Sequence, residues 1–369
     1  MSETTTKRPP WPRRIVLAVF VVFLVAAGVI GVLVWTADDR LDGVFIDFAQ
    51  ARLEPQHRTL FSDDDTLRVF VCGSSSPFAT PDRAKTCIGV IANGEILLFD
   101  TGAGSWRNIE NWQLQTDRVA HVFFTHFHSD HIADLDEVNV QSWIWGRRTA
   151  IRVHGPSGVE RVVAGYNEAL ALDYGYRNDY GEERYFPHAA ATMIANPIES
   201  IPGRAVPVYE NGNLRILAFP VDHAPVEPAF GYVIEYGDRR VVISGDTRRA
   251  DLTERLARDA DILFHEAQSR RLSHIMATAA ERSNDARMQF VMTKAGDYHT
   301  AAEDFAELAR ETNATRVIMY HLAPPPDALP LQRVFLRNMP DNVSLAFDGQ
   351  LFELPLQGRE IREGRIEAP

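Results

Sequence analysis

The sequence predicts an α/β fold in which two central sheets pack face to face between outer layers of helices, a four-layer αββα sandwich. Two observations predict it: strand-like runs form one set in each half of the chain, and helical patterns follow each set. The chain has 369 residues, of which 45% are apolar, so it can bury a substantial core.

The N-terminal segment departs from this composition. Ile15 to Trp35 is an uncharged apolar run of 21 residues, and a transmembrane helix needs about 20. Basic residues precede the run, while Asp38 and Asp39 follow it, so the positive-inside bias places the N-terminus in the cytoplasm. A cleaved signal peptide is the alternative, although its apolar core is usually shorter. We therefore expect a cytoplasmic tail over 1–14, a single-pass inner-membrane anchor over 15–35, a linker with a short helix over 36–65 and a periplasmic domain over 66–369.

Charge and cysteine content bear on the partners and the compartment. Residues 1–35 hold four basic side chains and one acidic, so the net charge of −12 divides into +3 there and −15 in the rest. A domain this acidic repels polyanions, which counts against a nucleic-acid substrate.

Cys72 and Cys87 lie on predicted strands either side of one loop. They could form a disulfide in an oxidising compartment, and two buried free thiols are the alternative.

The sequence of the first half of the domain predicts strands, a hairpin and an irregular lid. Asn93-Gly94 is a strong two-residue hairpin signal. Asp173 to Gly203 is rich in Tyr, Pro and charge without a clear period, which predicts an irregular lid or insertion. The predicted strands are Leu67 to Cys72, Thr86 to Ala92, Glu95 to Asp100, His121 to Thr125 and Thr149 to His154.

The second half repeats this layout. Thr300 and Glu303 form a capping-box pattern that predicts the start of a helix. The predicted strands are Leu214 to Pro220, Gly231 to Tyr236, Arg240 to Ser244, Asp261 to Phe264 and Thr315 to Tyr320, and the last ends at His321.

One short motif carries the chemistry. His126, His128, Asp130 and His131 offer three imidazoles and a carboxylate within six residues, directly after a predicted strand. His-x-His spacing on a turn lets alternate side chains converge on one ion, and Asp130 and His131 then point to a second position. The motif therefore predicts a binuclear site for a borderline-soft divalent ion such as Zn²⁺.

This motif resembles the signature of the metallo-β-lactamase fold superfamily, and the resemblance spans about residues 66 to 355. The order of five further motifs is similar to that in ribonuclease Z and the arylsulfatase-like hydrolases. These motifs are Cys72-Gly73-Ser74-Ser75-Ser76-Pro77, Asp100-Thr101-Gly102, Ser244-Gly245-Asp246-Thr247, Phe264-His265-Glu266-Ala267 and Tyr320-His321.

The resemblance implies two metal ions and a complete ligand set. One ion would be held by His126, His128 and His223, the other by Asp130, His131 and His321, with Asp246 bridging them. A hydroxide shared by the ions would be the nucleophile. We count Asp130 among the catalytic residues as well as the ligands.

Three further residues are given roles, His299 and Glu266 by the same resemblance and Asp100 by the support that ligand imidazoles usually need, with a plain turn as the alternative for Asp100. His299 matches a catalytic histidine that protonates the leaving oxygen, and Glu266 matches the acid that orients it. Asp100 is expected to hydrogen-bond a ligand imidazole. We assign no role to His121 or His154.

Two features of ribonuclease Z sequences are missing from this chain, and their absence favours a different substrate. Ile132-Ala133-Asp134-Leu135 follows the motif where tRNA-processing enzymes have a Gly-Leu-Pro-Gly-type turn, and no Gly/Lys-rich arm occurs before His223. Pro81-Asp82-Arg83-Ala84 and Asp297-Tyr298-His299-Thr300 resemble arylsulfatase-like members. We therefore predict an exported, membrane-anchored hydrolase of small sulfate or phosphate esters, and leave a homo-oligomer open. The alternatives are a ribonuclease Z-like phosphodiesterase or 3′-tRNA-processing endonuclease, a lactone or thioester hydrolase, and, last, a non-catalytic metal-binding ectodomain.

Overall fold

The computed structural model describes residues 13–54, 56–62 and 65–369. The chain divides between Pro55 and Gln56 into two compact units. In its described part the first unit is one helix, α1 (Arg13–Leu53). Residues 1–12 of the predicted cytoplasmic tail lie outside the described residues.

The predicted transmembrane anchor is not supported. Among the described residues, no helix has both the length and the hydropathy needed to cross a bilayer. The predicted helix boundary at residue 35 also differs, because α1 continues without interruption to Leu53. The chain from residue 36 to 53 contains no proline, so nothing in its backbone chemistry stops a helix from propagating.

The second unit contains two sheets. The strands are β1 (Thr66–Gly73), β2 (Cys87–Ala92), β3 (Glu95–Phe99), β4 (Val119–Phe123), β5 (Arg152–Gly155), β6 (Ile194–Pro197), β7 (Val206–Asn211), β8 (Leu214–Pro220), β9 (Phe230–Tyr236), β10 (Arg239–Ile243), β11 (Ile262–Gln268), β12 (Arg316–Ala323), β13 (Val343–Leu345), β14 (Gln350–Pro355) and β15 (Arg362–Arg365). The first sheet has the order β15-β14-β1-β2-β3-β4-β5-β6, and the second has the order β13-β12-β11-β10-β9-β8-β7. Each half of the chain builds most of one sheet, as the sequence predicts.

Helices cover the outer face of each sheet. They are α2 (Ser105–Asn111), α3 (Ser129–Ile132), α4 (Leu135–Ile144), α5 (Val159–Tyr180), α6 (His188–Ala191), α7 (Asp251–Leu256), α8 (Arg270–Arg282), α9 (Ala286–Lys294), α10 (Phe305–Thr312) and α11 (Leu329–Phe335). One apolar core lies between the sheets and includes Phe99, Tyr232 and Phe264. Two others lie between a sheet and its helices. The predicted αββα sandwich is therefore the observed fold.

The hairpin predicted at Asn93-Gly94 is confirmed. Ala92 pairs with Glu95, so the two residues alone connect β2 to β3. Asn93 and Gly94 have φ angles of 50° and 74°. Both angles lie in the left-handed region that this turn requires and that asparagine and glycine tolerate best.

Two local predictions were wrong. The segment predicted as an irregular lid contains the end of α5, all of α6 and strand β6, because Tyr174 and the Ala190–Ala191 pair are buried against Trp143. The predicted capping box does not form either. The Thr300 hydroxyl donates to the Thr247 carbonyl instead, and the Glu303 carboxylate accepts from the Arg270 and Arg271 amides at the start of α8.

Candidate metal centre

The candidate ligands lie where strands of both sheets end. The motif residues follow β4 in the first sheet, with Asp130 and His131 on the first turn of α3. In the second sheet His223 follows β8, Asp246 follows β10, and His321 lies near the end of β12. Strands β10, β11 and β12 are mutually parallel, so their carboxyl ends share one edge of the sheet.

The first candidate metal position is formed by His126, His128 and His223, with Asp246. One donor atom from each lies within 4.8 Å of the others. His126 Nε2 lies 2.8 Å from His128 Nδ1. Asp246 Oδ2 lies 3.9 Å from both His126 Nε2 and His223 Nε2.

The second candidate metal position is formed by Asp130, His131 and His321, again with donor atoms within 4.8 Å of one another. Asp130 Oδ2 lies 3.2 Å from His321 Nε2 and 3.6 Å from His131 Nε2. Asp246 Oδ2 is also 3.3 Å from His321 Nε2 and 3.4 Å from His131 Nε2. One carboxylate oxygen therefore adjoins both positions, which is the geometry expected of a bridging ligand.

The buried donors fit divalent cations. Among the described residues, the atoms that are buried without a hydrogen-bond partner include His131 Nε2, His223 Nε2 and Asp246 Oδ1. Such atoms are costly unless something binds them. Imidazole and carboxylate donors in this number suit Zn²⁺.

The electrostatics of the site lead to the same conclusion. Burial alone would raise the pKa of Asp246, but His321 and His131 outweigh it and hold that pKa well below its usual range. Burial would lower the pKa of His131, but Asp246, Asp100 and Asp130 raise it well above its usual range. Asp246 thus remains ionised, and so does Asp130, because burial would raise its pKa but His131 and His321 lower that pKa to about 2. These two charges favour nearby positive charge, which bound metal ions would supply.

Neighbouring groups orient the imidazoles. Asp100 Oδ2 accepts a hydrogen bond from His131 Nδ1 at 2.8 Å, which leaves Nε2 for a metal ion. Thr125 holds that carboxylate through its amide and its hydroxyl, both at 2.9 Å. His223 Nδ1 lies 3.2 Å from the Tyr298 carbonyl. The sequence predicts the role of Asp100 but not those of Thr125 and Tyr298, although Thr125 directly precedes the motif.

His299 and Glu266, the residues predicted as an acid pair, lie beside the candidate ligands. His299 Nδ1 lies 3.1 Å from Glu266 Oε1, and that oxygen also accepts from the amides of Thr247 and Thr300. Burial would lower the pKa of His299, but Glu266 raises it to about 9. A ring nitrogen of His299 lies within 4.8 Å of donor atoms of Asp246 and His321. His265 is buried beside Phe305 and takes no part in these groups.

The comparisons with known proteins agree with this geometry. A family model described as "Beta-lactamase superfamily domain" matches residues 96–322. A ribonuclease Z from Mycobacterium bovis is 29% identical over 261 residues, which cover 70% of this chain and 86% of that protein.

Two solved structures share the fold. The short form of human tRNase Z has a TM-score of 0.54 at 20% identity and covers 77% of this chain and 98% of its own. The metallo-β-lactamase fold protein YhfI from Bacillus subtilis has a TM-score of 0.53 at 17% identity and covers 78% of this chain and 100% of its own. The family match and the assembled donor set together lead to one conclusion: the chain belongs to the metallo-β-lactamase superfamily and is a metal-dependent hydrolase that acts on ester bonds.

Proposed function

We propose that this protein is a phosphodiesterase that uses two divalent metal ions, most suitably Zn²⁺. The observation that carries the hydrolytic mechanism is the His299–Glu266 pair, because it places a proton donor beside the candidate metal ligands. The names of the relatives favour a phosphodiester as the substrate. Ions held by the seven candidate ligands would stabilise developing negative charge and lower the pKa of water so that it becomes a nucleophile.

The protein's own residues perform three tasks in this proposal. Asp100 fixes the tautomer of His131, which keeps a ligand nitrogen directed at the second position. Glu266 engages His299 Nδ1, so His299 Nε2 is the nitrogen available to the substrate. A protonated His299 then donates its proton to the leaving oxygen as the phosphorus–oxygen bond breaks.

The phosphodiester preference replaces the arylsulfatase-like interpretation. The curated relative bears the name ribonuclease Z, and the short-form human structure is a tRNase Z. Arg83, part of a pattern that favoured sulfate esters, instead donates to Ser74 Oγ at 2.8 Å and to the Ala346 carbonyl at 2.6 Å. That side chain supports a loop, so its presence does not argue for a sulfate-ester substrate.

Turnover of matched substrates by the Zn²⁺-loaded full chain tests the proposal. We expect bis(p-nitrophenyl) phosphate to be hydrolysed faster than p-nitrophenyl sulfate or an aryl lactone, with a pre-tRNA and a short RNA as larger diesters. Asp246→Asn should lose both activity and bound metal. Faster turnover of the sulfate would favour an arylsulfatase, and undiminished activity in Asp246→Asn would contradict the metal mechanism.

Leaving-group dependence tests the acid. His299→Ala should slow a diester with a poor alkoxide leaving group by about 10²- to 10⁴-fold, and the nitrophenyl diester much less, because nitrophenolate leaves without a proton. His274→Ala, an exposed histidine on α8, is the matched control and should change neither rate. Equal losses on both diesters would contradict the acid role.

We also propose that the domain works in an oxidising compartment outside the cytoplasm. The structure joins Cys72 and Cys87 in a disulfide, and such bonds persist mainly in oxidising compartments. Cells are quenched in acid and their proteins are denatured before alkylation, so that buried free thiols would react. Both cysteines should stay unmodified. Alkylation of both cysteines without prior reduction would contradict this location.

A further inference from the structure

The candidate ligand His321 has an unusual backbone position. In the pairing of β11 with β12, Glu266 opposes Tyr320 and Ala267 opposes Leu322, so His321 has no opposite residue. Its φ angle is 46°. A non-glycine residue adopts this left-handed conformation only when its surroundings hold it there.

A loop from the first sheet provides that support. Residues 73–86, here called the cysteine loop, connect β1 to β2. The Leu322 amide donates to the Ser74 carbonyl at 3.1 Å, and Ser75 forms a parallel bridge with Leu322. The residue that follows His321 is therefore fastened to the cysteine loop.

The other end of the cysteine loop reaches the opposite side of the second metal position. The Thr86 carbonyl accepts from the Gly102 amide at 3.0 Å. A Cβ atom on Gly102 would lie 2.3 Å from the Asp130 carbonyl, so the two backbones are in direct contact. The neighbouring Thr101 amide donates to the His131 carbonyl at 2.7 Å. One end of the loop thus contacts the strand that carries His321, and the other contacts Gly102, which in turn adjoins Asp130.

The Cys72–Cys87 disulfide closes this loop. Its Cα atoms lie 5.0 Å apart, and it joins the strands where their pairing becomes irregular, between Val71 and Gly73. We infer that the disulfide is a positioning element for the second metal position: it holds the cysteine loop so that His321 and Asp130 keep their ligand geometry. The loop reaches the first metal position less directly, through Asp100 and Thr125, the residue before His126.

A second anchor makes the effect selective rather than global. Asp348 accepts from the Ser74 and Ala84 amides at 3.0 and 2.6 Å and from Asn108 Nδ2 at 2.8 Å. Ser74 and Ala84 lie near the two ends of the cysteine loop, so these bonds hold the loop and the fold when the disulfide is absent. Loss of the disulfide removes the covalent link between β1 and Cys87, and it loosens most the neighbouring Thr86, whose carbonyl holds Gly102.

Metal titration of the full chain tests the inference. His223→Ala disables the first position and His321→Ala the second, so Zn²⁺ affinity can be measured for each position against a chromophoric chelator. Each background is combined with the double change Cys72→Ala and Cys87→Ala. When both cysteines are replaced, we expect the Zn²⁺ Kd to rise at least about tenfold in the His223→Ala background, which reports on the second position. In the His321→Ala background, which reports on the first position, the Kd should rise less than about twofold. Ile234→Ala, a buried truncation on β9, is a control for lost stability.

The outcomes distinguish a failure of the disulfide's positioning role from a failure of the metal centre itself. A selective loss at the second position, absent in Ile234→Ala, supports the positioning role. Equal losses at both positions, or none, would overturn it. If neither background binds Zn²⁺ with the disulfide intact, the metal centre fails and this inference fails with it. In Co²⁺-loaded protein, the same selectivity should appear as a changed d–d spectrum from the second position alone.

Discussion

A buried histidine pair away from the metal centre predicts a steep loss of stability in mild acid. His121 on β4 and His154 on β5 are only 7% and 4% exposed, and His121 Nδ1 lies 3.0 Å from His154 Nε2. Burial, with a contribution from Arg152, lowers the pKa of His121 from 6.5 to about 4. Burial, with contributions from His121 and Arg152, lowers that of His154 to about 3.

The sign and size of the effect follow from these values. A pKa that is depressed in the folded state means that the unfolded chain binds protons first as the pH falls. The stability contributed by the neutral pair is thus complete above about pH 6.5 and is lost as the pH falls towards 4 and 3. Between pH 7 and pH 5 each histidine should contribute a loss of about 2 kcal/mol, or roughly 4 kcal/mol for the pair.

Urea unfolding of the metal-free protein at pH 7 and pH 5 measures this loss. The double change His121→Phe and His154→Phe replaces the hydrogen-bonded pair with rings of similar shape beside Phe123 and Tyr209. It should remove most of the difference between the two pH values, whereas other titrating groups contribute equally to both proteins. If wild type and variant lose the same stability to within about 1 kcal/mol, the reasoning from burial is refuted.

Two further predictions concern the backbone and ligand geometry of the site. Asp100→Asn removes the charge that holds His131 Nδ1 at 2.8 Å, so Zn²⁺ affinity should fall about 10- to 100-fold in a chelator competition. A change below twofold would argue against that orienting role. Gly245 has a φ of 63°, and its Cβ would meet the Phe230 carbonyl at 2.3 Å, so Gly245→Ala should cost more than about 2 kcal/mol in urea unfolding. Gly165→Ala, in open space within α5, should instead gain about 0.5–1 kcal/mol, and similar values for both would contradict the steric argument.

Total charge is weak evidence about the substrate of a single site. The surplus of acidic residues counts against nucleic acid as a substrate, and this stays a prediction. Net charge sums over the whole surface, whereas a substrate meets only the groups around the site. At the metal centre, Asp246 is surrounded by four histidines that each lie within 3.9 Å of it, which total charge does not reveal.

What the sequence determined by itself was the chemistry that depends on local spacing. The motif from His126 to His131 predicts convergent ligands because a turn after a strand fixes the directions of successive side chains. Asn93-Gly94 predicts its hairpin because the turn needs left-handed backbone that only a few residues tolerate. Family resemblance then supplied the distant partners His223, Asp246 and His321.

Only the tertiary structure decided the contacts between residues far apart in the chain. The pairing of Cys72 with Cys87, the hydrogen bond between His121 and His154, and the support of Leu322 by Ser74 each join separate strands. Glu303 likewise serves the start of α8 rather than its own helix. Spacing along the chain suggested the disulfide without deciding it and did not indicate the other contacts, because such partners depend on how two sheets and their helices pack around shared cores.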